Sequence, residues 1–224
     1  MKTKLFGTHK ILRAGLLACI AFAVLFASTL SACSKGGGGS NSSSSGSNSS
    51  GGGSNSSSVE KTNYSPGDEG PAEGLVFYDK GNSEGGWRYL EAAPPIAEFF
   101  AAWGSDYDIA GTETGIGTGK RNTAIIVEYL SGIGETGMAA QLCSELNING
   151  FSDWFLPSKD ELDLMYTVLH RNRKGDFSDG WGYWSSSQTG RTSAWSQNFY
   201  NGSQDDFTLS GKDTEYTVRA VRAF

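Results

Sequence analysis

Residues 115–120, GIGTGK, contain the glycine and lysine residues that hold phosphate groups in nucleotide-binding loops. A phosphate loop with this lysine also needs glycine at position 114 and serine or threonine at position 121, where this chain has Thr114 and Arg121. A dinucleotide-binding fingerprint needs glycine at position 120, which is Lys120. The hexapeptide therefore predicts a flexible loop that leads into a helix, without a nucleotide site.

The sequence gives little support to acid–base or metal chemistry. His170 is the only histidine in residues 59–224, which argues against a His-based catalytic triad and against a two-His metal site. Carboxylates are numerous, but no spacing brings two of them together for glycan hydrolysis. No regular calcium loop occurs, although calcium at an irregular loop stays open. We expect no catalytic residues, no enzyme activity and no resident cofactor.

Two other groups are interpreted mainly as structural. Cys143 lies in residues 138–146, where apolar side chains recur at helical spacing, so we expect it in the core. Residues 170–174, HRNRK, form the one basic cluster of the chain. They predict a solvated helix end with His170 as a surface cation, and the alternative is a contact with an acidic glycan.

Residues 59–224 form the predicted globular domain, which is long enough for a sizeable core. Five of the 18 Lys and Arg residues precede this domain, and none of the 24 Asp and Glu residues does. The domain therefore has a net charge of −11. This balance argues against nucleic-acid binding, which phosphate contacts dominate.

The first part of this domain predicts a hairpin and a loop. Residues 75–78 and 87–91 have the composition of strands and are joined by turn-forming residues. A loop-rich stretch follows over residues 94–120. Two helices come next, one from about residue 122 to before residue 132 and one over about 137–147.

A third helix and several strands complete the domain. The helix begins at a capping box, with Ser158 as the N-cap and Glu161 three residues later. The predicted C-terminal strands cover residues 183–184, 195–199, 207–209 and 216–224. Hairpin, helices and strands in this order indicate an α+β fold with an antiparallel sheet.

The first 32 residues have the pattern of an export signal. They contain four basic and no acidic residues, and a largely apolar run over residues 16–30 ends at small residues. This run is shorter than the about 20 apolar residues that a membrane span needs. Residues 34–58 are glycine, serine and asparagine apart from Lys35, and they predict a flexible coil, here called the tether.

Residues 30–33, LSAC, resemble the lipobox of bacterial lipoproteins. The resemblance implies a signal peptide over residues 1–32, cleavage before Cys33, and acylation of the Cys33 sulfur. Acyl chains would hold the protein on a lipid bilayer. In this class Ser34 after the cysteine favours the outer membrane. We therefore expect an exported, lipid-anchored protein at the outer membrane or cell surface.

A second resemblance covers residues 71–224. Six motifs occur in the order found in the Lcl C-terminal domain family, which is named after a collagen-like bacterial adhesin. They are GLVFYD at 74–79, WRYLEAAP at 87–94, GKRNT at 119–123, NGFSDWFLPSKDEL at 149–162, YWSSS at 183–187 and VRAVRAF at 218–224. The helix start and the last strand also resemble the formylglycine-generating enzyme superfamily. The resemblance to the formylglycine-generating enzyme superfamily implies a C-type-lectin-like fold. The active cysteines of that enzyme have no counterpart in this sequence.

We assign most of the motif residues to fold maintenance. These residues are Trp154, Pro157, Ser158, Glu161, Trp184, Arg219 and Arg222. The two arginines are expected to pair with acids across the sheet. For ligand binding we select Trp181, Asp205 and Asp206, because they lie in polar, aromatic connections, and binding residues concentrate in loops.

These observations favour a surface-tethered module that binds a glycan or protein ligand in adhesion. One alternative is a structural envelope lipoprotein with a protein partner, which an exposed apolar patch without a cleft would favour. The other alternative is a periplasmic or surface glycan hydrolase that uses two carboxylates. The oligomeric state stays open.

Overall fold

The computed structural model describes residues 61–180, 182–206 and 211–224. The predicted signal peptide, Cys33, the tether, Trp181 and the predicted strand 207–209 lie outside these residues. The described strands are β1 (Leu75–Asp79), β2 (Tyr89–Ala92), β3 (Phe99–Ala102), β4 (Gly182–Gly190), β5 (Ser193–Asn198), β6 (Gln204–Asp205), β7 (Glu215–Val218) and β8 (Val221–Ala223). The described α-helices are α1 (Gly119–Gly132), α2 (Ala139–Glu145) and α3 (Lys159–Leu164).

The described strands form two sheets. The predicted hairpin of β1 and β2 is confirmed, and β8 joins it to give a three-stranded antiparallel sheet in the order β1-β2-β8. The second sheet has five strands in the order β3-β7-β4-β5-β6. The predicted antiparallel pairing is confirmed for the other described strand pairs, but β4 and β7 are parallel. The parallel pair arises because β7 enters between β3 and β4 after the chain has crossed through β5 and β6.

The predicted single strand over residues 216–224 is two strands. β7 pairs with β3 in the five-stranded sheet, and β8 pairs with β2 in the three-stranded sheet. Arg219 and Ala220 lie between them. The side chain of Arg219 forms hydrogen bonds outside the two sheets. The backbone carbonyl of Ala220 accepts from the amide of Ala93 at 2.9 Å. This short segment therefore links the two sheets covalently.

The loop predicted over residues 94–120 contains β3, which the sequence interpretation missed. The four residues of β3, FFAA, do not alternate between apolar and polar. Their register depends on a partner at the other end of the domain, with Phe99 opposite Val218. Local pattern cannot report such a pairing.

The three predicted helices are confirmed, with boundaries shifted by a few residues. α3 starts with the predicted capping box: the Ser158 hydroxyl accepts from the Glu161 amide, and the Glu161 carboxylate accepts from the Ser158 amide. After α3 the chain continues as a π-helix over Met165–Leu169 and a 3-10 turn over His170–Asn172. No described helix is both long and apolar enough to span a membrane.

Two apolar clusters make up the core. One lies between the five-stranded sheet and helices α1 and α2, and it includes Trp103, Trp184 and Cys143. Cys143 is fully buried as predicted, and burial raises the pKa of its thiol. The other cluster joins the three-stranded sheet to α3 and the π-helix through residues such as Phe155 and Phe199.

Candidate functional site

Arg219 holds the junction between the two sheets from the inside. Its side chain is 1% exposed, and its guanidinium donates to the Glu98 carboxylate at 2.6 and 3.1 Å. It also donates to the backbone carbonyls of Ala93 and Gly175. The Tyr183 hydroxyl donates to the same carboxylate at 2.7 Å. The arginine therefore satisfies several buried acceptors at once, which is a role in the fold.

Arg222 bridges two acids. It donates to Glu91 at 3.1 Å, which is its cross-strand neighbour in β2, and to Asp153 at 2.8 and 3.2 Å. The other Glu91 oxygen accepts from the amides of Ala72 and Gly74. Burial nevertheless raises the pKa of Glu91, because desolvation of the carboxylate outweighs these bonds. The expectation that both terminal-strand arginines meet acids agrees with this geometry.

The Glu161 carboxylate binds the backbone of the glycine-rich loop. One carboxylate oxygen accepts from the amides of Gly117 and Gly119 at 2.7 and 3.5 Å, and the other accepts from Ser158 at 2.7 Å. A Cβ at position 119 would lie 2.2 Å from this carboxylate, so only glycine fits there. The loop that resembles a phosphate site therefore holds a buried carboxylate of the same chain. Burial raises the pKa of Glu161.

The other residues selected for the fold are buried. Trp154 is 3% exposed and donates to the Phe151 carbonyl at 2.9 Å. Trp184 donates to the Ala101 carbonyl at 3.2 Å, and its ring packs at a tilt against Tyr216. The carbonyl of the buried Pro157 accepts from the Ser186 amide at 2.7 Å. Their assignment to the fold stays an interpretation, which these contacts support.

The residues selected for ligand binding do not form a site in the described structure. Trp181 lies outside the described residues. Asp205 is exposed on β6, the edge strand of the five-stranded sheet, and Asp206 follows it half-buried. Neither acid lines a hollow described below.

His170 is less exposed than the surface position that the sequence predicted. Its side chain is 19% exposed, and its ring stacks on Tyr166 at 5.5 Å and lies against Phe177 and Phe199. Its Nε2 lies 3.2 Å from a carboxylate oxygen of Asp179. The chain forms a π-helix over Met165–Leu169 immediately before His170, where the apolar spacing predicts a regular helix. The rest of the basic cluster, residues 171–174, is exposed as expected.

A groove beside the three-stranded sheet is the strongest candidate for ligand binding. It consists of two hollows that share Trp87, which is half-buried. The first hollow, of about 400 Å³, is lined by Tyr64, Tyr89, Arg88 and Phe224 among others. Clefts of this size that combine aromatic walls with a few polar groups are typical ligand sites. We call the two hollows together the Trp87 groove.

The second hollow, of about 380 Å³, lies on the side of α1. Gly117, Lys120, Arg121 and Phe155 line it. A Cβ at Gly117 would lie 2.9 Å from the Trp87 ring, so glycine allows this loop to pack on the indole edge. A smaller hollow of about 220 Å³ shares Lys120 and Phe155 and extends the groove along α1.

Charged side chains around the Trp87 groove are mostly paired. Arg88 donates to both oxygens of Asp79 at 2.7 and 2.9 Å, and this bond lowers the pKa of Asp79. Arg121 lies 2.6 Å from Glu113. Lys80 lies 4.1 Å from the centre of the Trp87 ring. Within the described residues no group of three or more His, Cys, Asp and Glu side chains is arranged to hold a metal ion.

The sequence interpretation assigned Trp87 to a strand and did not identify this groove. One signal was available: Trp87 and Arg88 follow Gly85-Gly86 and precede the buried part of β2, so they lie at the hairpin end. The other walls could not be assembled from the sequence. Tyr64, Gly117 and Phe224 come from three distant segments that only the folded sheet brings together.

The described domain is therefore an α+β protein with two sheets, three α-helices and an aromatic groove. A family model described as the Lcl C-terminal domain matches residues 103–222, which is more than half of the chain. The chain belongs to the Lcl C-terminal domain family.

Two other comparisons add less. A crystal structure of a fimbrial protein from Bacteroides ovatus ATCC 8483 is similar, with a TM-score of 0.48 and 12% sequence identity. The similarity covers 70% of this chain and 45% of that one, so the chain spans less than half of that protein's length. No curated protein matches the chain with significance.

Proposed function

We propose that this protein is a non-catalytic, envelope-tethered module that binds a carbohydrate in the Trp87 groove. The observation that carries the proposal is the half-buried Trp87, which separates two hollows of about 400 and 380 Å³. Membership of a family named after an adhesin adds support for a role in adhesion.

The chemistry of the groove suits a sugar. Lys80 lies over one face of the Trp87 indole, and the rest of the exposed ring is an apolar surface on which the C–H face of a pyranose can pack. Arg88 lines the first hollow, and Asp79, its partner on β1, adds an acceptor at the same hairpin. Because both side chains are held by a bidentate pair, little side-chain freedom remains to be lost when a ligand binds.

The proposal includes the anchor and the fold class. Acylation of Cys33 would hold the domain on the outer membrane or cell surface, and the tether would separate it from the bilayer by about 25–30 Å. A C-type-lectin-like fold is supported by the sheet that unites the first strands of the domain with β8. Tyr64 also packs on Phe224 there, so both ends of the domain meet.

A non-catalytic role is supported by the location of the unusual acids. The described carboxyl groups with a raised pKa are Glu91 and Glu161, and both are fully buried. Neither lines the Trp87 groove. A glycan hydrolase would need such a group in its cleft, facing a second carboxylate.

The test is glycan binding by the full chain in nonionic detergent, measured on a glycan array and then by calorimetry. Wild type should bind a defined set of glycans, and Trp87→Ala should lose at least tenfold in affinity because the stacking surface is gone.

Trp195→Ala is the matched control. Trp195 is also half-buried and also has a lysine over its ring, since Lys159 Nζ lies 4.8 Å away, but it belongs to β5 in the other sheet. This variant should keep its affinity. Loss of binding in Trp195→Ala with retention in Trp87→Ala would move the site to the β5–β6 side, near Asp205 and Asp206.

A second candidate function, binding of a protein partner, is favoured by one observation. Phe100, on the edge strand β3 of the five-stranded sheet, is 55% exposed, and Ile96, in the 3-10 turn over Pro95–Ala97 before that strand, is 92% exposed. An exposed apolar edge strand is a template for pairing with another strand. A photocrosslinker at position 100 should then trap a partner, whereas one at Tyr200, which is 79% exposed on another loop, should not.

A further inference from the structure

We infer that the ligand of the Trp87 groove is an uncharged, hydroxyl-rich saccharide and not a sulfated or carboxylated one. This inference rests on the proposed function and specifies its ligand class. It is drawn from the way in which the cations around the groove are already occupied.

Both guanidinium groups at the groove are neutralised by carboxylates. Arg88 uses its Nε and one terminal nitrogen on Asp79, in the two-point geometry that would otherwise hold a sulfate or a carboxylate. Arg121 donates to Glu113 at 2.6 Å. An anionic ligand would have to displace an acid from each arginine or lie beside it, and either arrangement weakens the attraction.

Of the lysines at the groove, one is paired with a carboxylate and two are not. Lys61 lies 2.9 Å from Asp68. Lys80 donates to the backbone carbonyl of Glu84 and lies over the Trp87 ring. Among the described residues at the groove, two lysines have no carboxylate within 4.0 Å: Lys120, which lines the second hollow, and Lys80, which lies over the indole. An anion could use only these two without competition from an acid. A polyanion needs several such cations in a row.

An arginine–carboxylate pair offers a donor and an acceptor side by side, and sugar hydroxyl groups can bond to both. A sugar hydroxyl both donates and accepts, so it can donate to the Asp79 carboxylate while a neighbouring hydroxyl accepts from Arg88. A sulfate only accepts, and it would face the Asp79 carboxylate without a proton to offer. Hydrogen bonding to Arg88 lowers the pKa of Asp79, which keeps this acceptor charged over the physiological range.

The charge of the whole domain works in the same direction. With a net charge of −11, the domain repels a polyanion during approach, although salt screens this effect beyond about 8 Å. A neutral glycan has no net charge and is not repelled by the domain. The pairing of the arginines with acids and the repulsion of polyanions by the net negative charge therefore both favour an uncharged ligand.

The experiment compares neutral glycans with their sulfated and carboxylated counterparts, using the full chain in nonionic detergent. Neutral glycans should bind best, and their Kd should change less than about twofold between low and high salt. A polyanion bound through phosphate-like contacts would instead lose affinity steeply as salt rises.

Asp79→Asn should change the affinity for neutral and anionic glycans in opposite directions. For a neutral glycan the variant removes a charged acceptor, and affinity should fall about tenfold. For an anionic glycan it removes a repulsive charge beside Arg88, and affinity should rise. Glu145→Gln, at an exposed acid on α2 that lines neither hollow, is the matched control and should leave binding unchanged. Circular dichroism checks that each variant is folded.

The outcomes distinguish the inference from the function on which it rests. Preferential, salt-sensitive binding of sulfated glycans that Trp87→Ala abolishes would keep the proposed function and overturn the neutral-ligand inference. Absence of any glycan binding by the folded chain would overturn both. Salt-insensitive binding of neutral glycans that Asp79→Asn weakens would support both.

Discussion

Arginine–carboxylate pairs occur in two regions of this domain, and they are held differently. In the interior, Arg222 and Glu91 have side chains that are 6% and 0% exposed, and backbone amides hold the carboxylate as well. At the Trp87 groove, Arg88 and Asp79 are 33% and 25% exposed. The interior pair cannot be reached by a ligand, whereas the groove pair can.

The difference shows which charges serve the fold and which are available for binding. A buried carboxylate that loses its arginine keeps the full penalty of desolvation, so interior pairs are expensive to break. A solvated pair loses little when one partner is removed, because water replaces the lost contact. Stability measurements and binding measurements should therefore respond to different residues.

The largest effect is expected for Arg222→Ala. The change leaves Glu91 buried without its cation, and the free energy of unfolding should fall by about 3–5 kcal/mol. Arg88→Ala should change it much less. Urea denaturation of both variants measures the difference, and equal losses would mean that burial does not separate the two pairs.

The next largest effect is expected for Glu161→Ala. Its removal leaves the amides of Gly117, Gly119 and Ser158 without their acceptor, and the free energy of unfolding should fall by roughly 3 kcal/mol. Glu161→Gln retains one carbonyl oxygen and should be intermediate. A thermal melt of each variant ranks their stabilities. An unchanged stability in Glu161→Ala would show that the glycine-rich loop rearranges and that its amides find other acceptors.

A smaller effect is expected from Lys212, a fully buried cation with Nζ 2.7 Å from the Tyr107 carbonyl. Burial lowers the pKa of Lys212 from 10.5 to about 8, so between these values the unfolded chain binds a proton that the folded chain does not. Stability should therefore rise with pH across this window, by at most about 1.4 kcal/mol for each unit by which the pKa is lowered, or roughly 3 kcal/mol in all.

Lys212→Met should lack that rise. The measurement is the free energy of unfolding of wild type minus that of Lys212→Met at several pH values from 7 to 10.5, because the difference cancels other titrating groups. A difference that stays constant with pH would show that Lys212 titrates normally in the folded state.

The smallest stability effect is expected for Trp87→Ala. The ring is half-buried and has open hollows on both sides, so the free energy of unfolding should fall by about 1 kcal/mol or less. The same variant is expected to lose glycan binding. A loss of several kcal/mol in urea denaturation would instead make Trp87 a core residue and weaken its assignment to a ligand site.

Local features of this fold were predictable from sequence, and long-range ones were not. The capping box at Ser158 and Glu161 lies within four residues, so its pattern is complete in the sequence. The second role of Glu161, as the acceptor for the glycine-rich loop, joins segments 44 residues apart and was not foreseen. The site prediction failed to find Trp87 for the same reason, because the groove has walls from distant parts of the chain.

The segment that passes through Arg219 and Ala220 has a consequence for the order of folding. Residues 215–223 supply one strand to each sheet, and their arginines reach partners 121 and 131 residues earlier in the chain. Neither sheet can be completed before these residues are present, and pairings over such separations form slowly. The chain should therefore stay incompletely folded until its last strands are available.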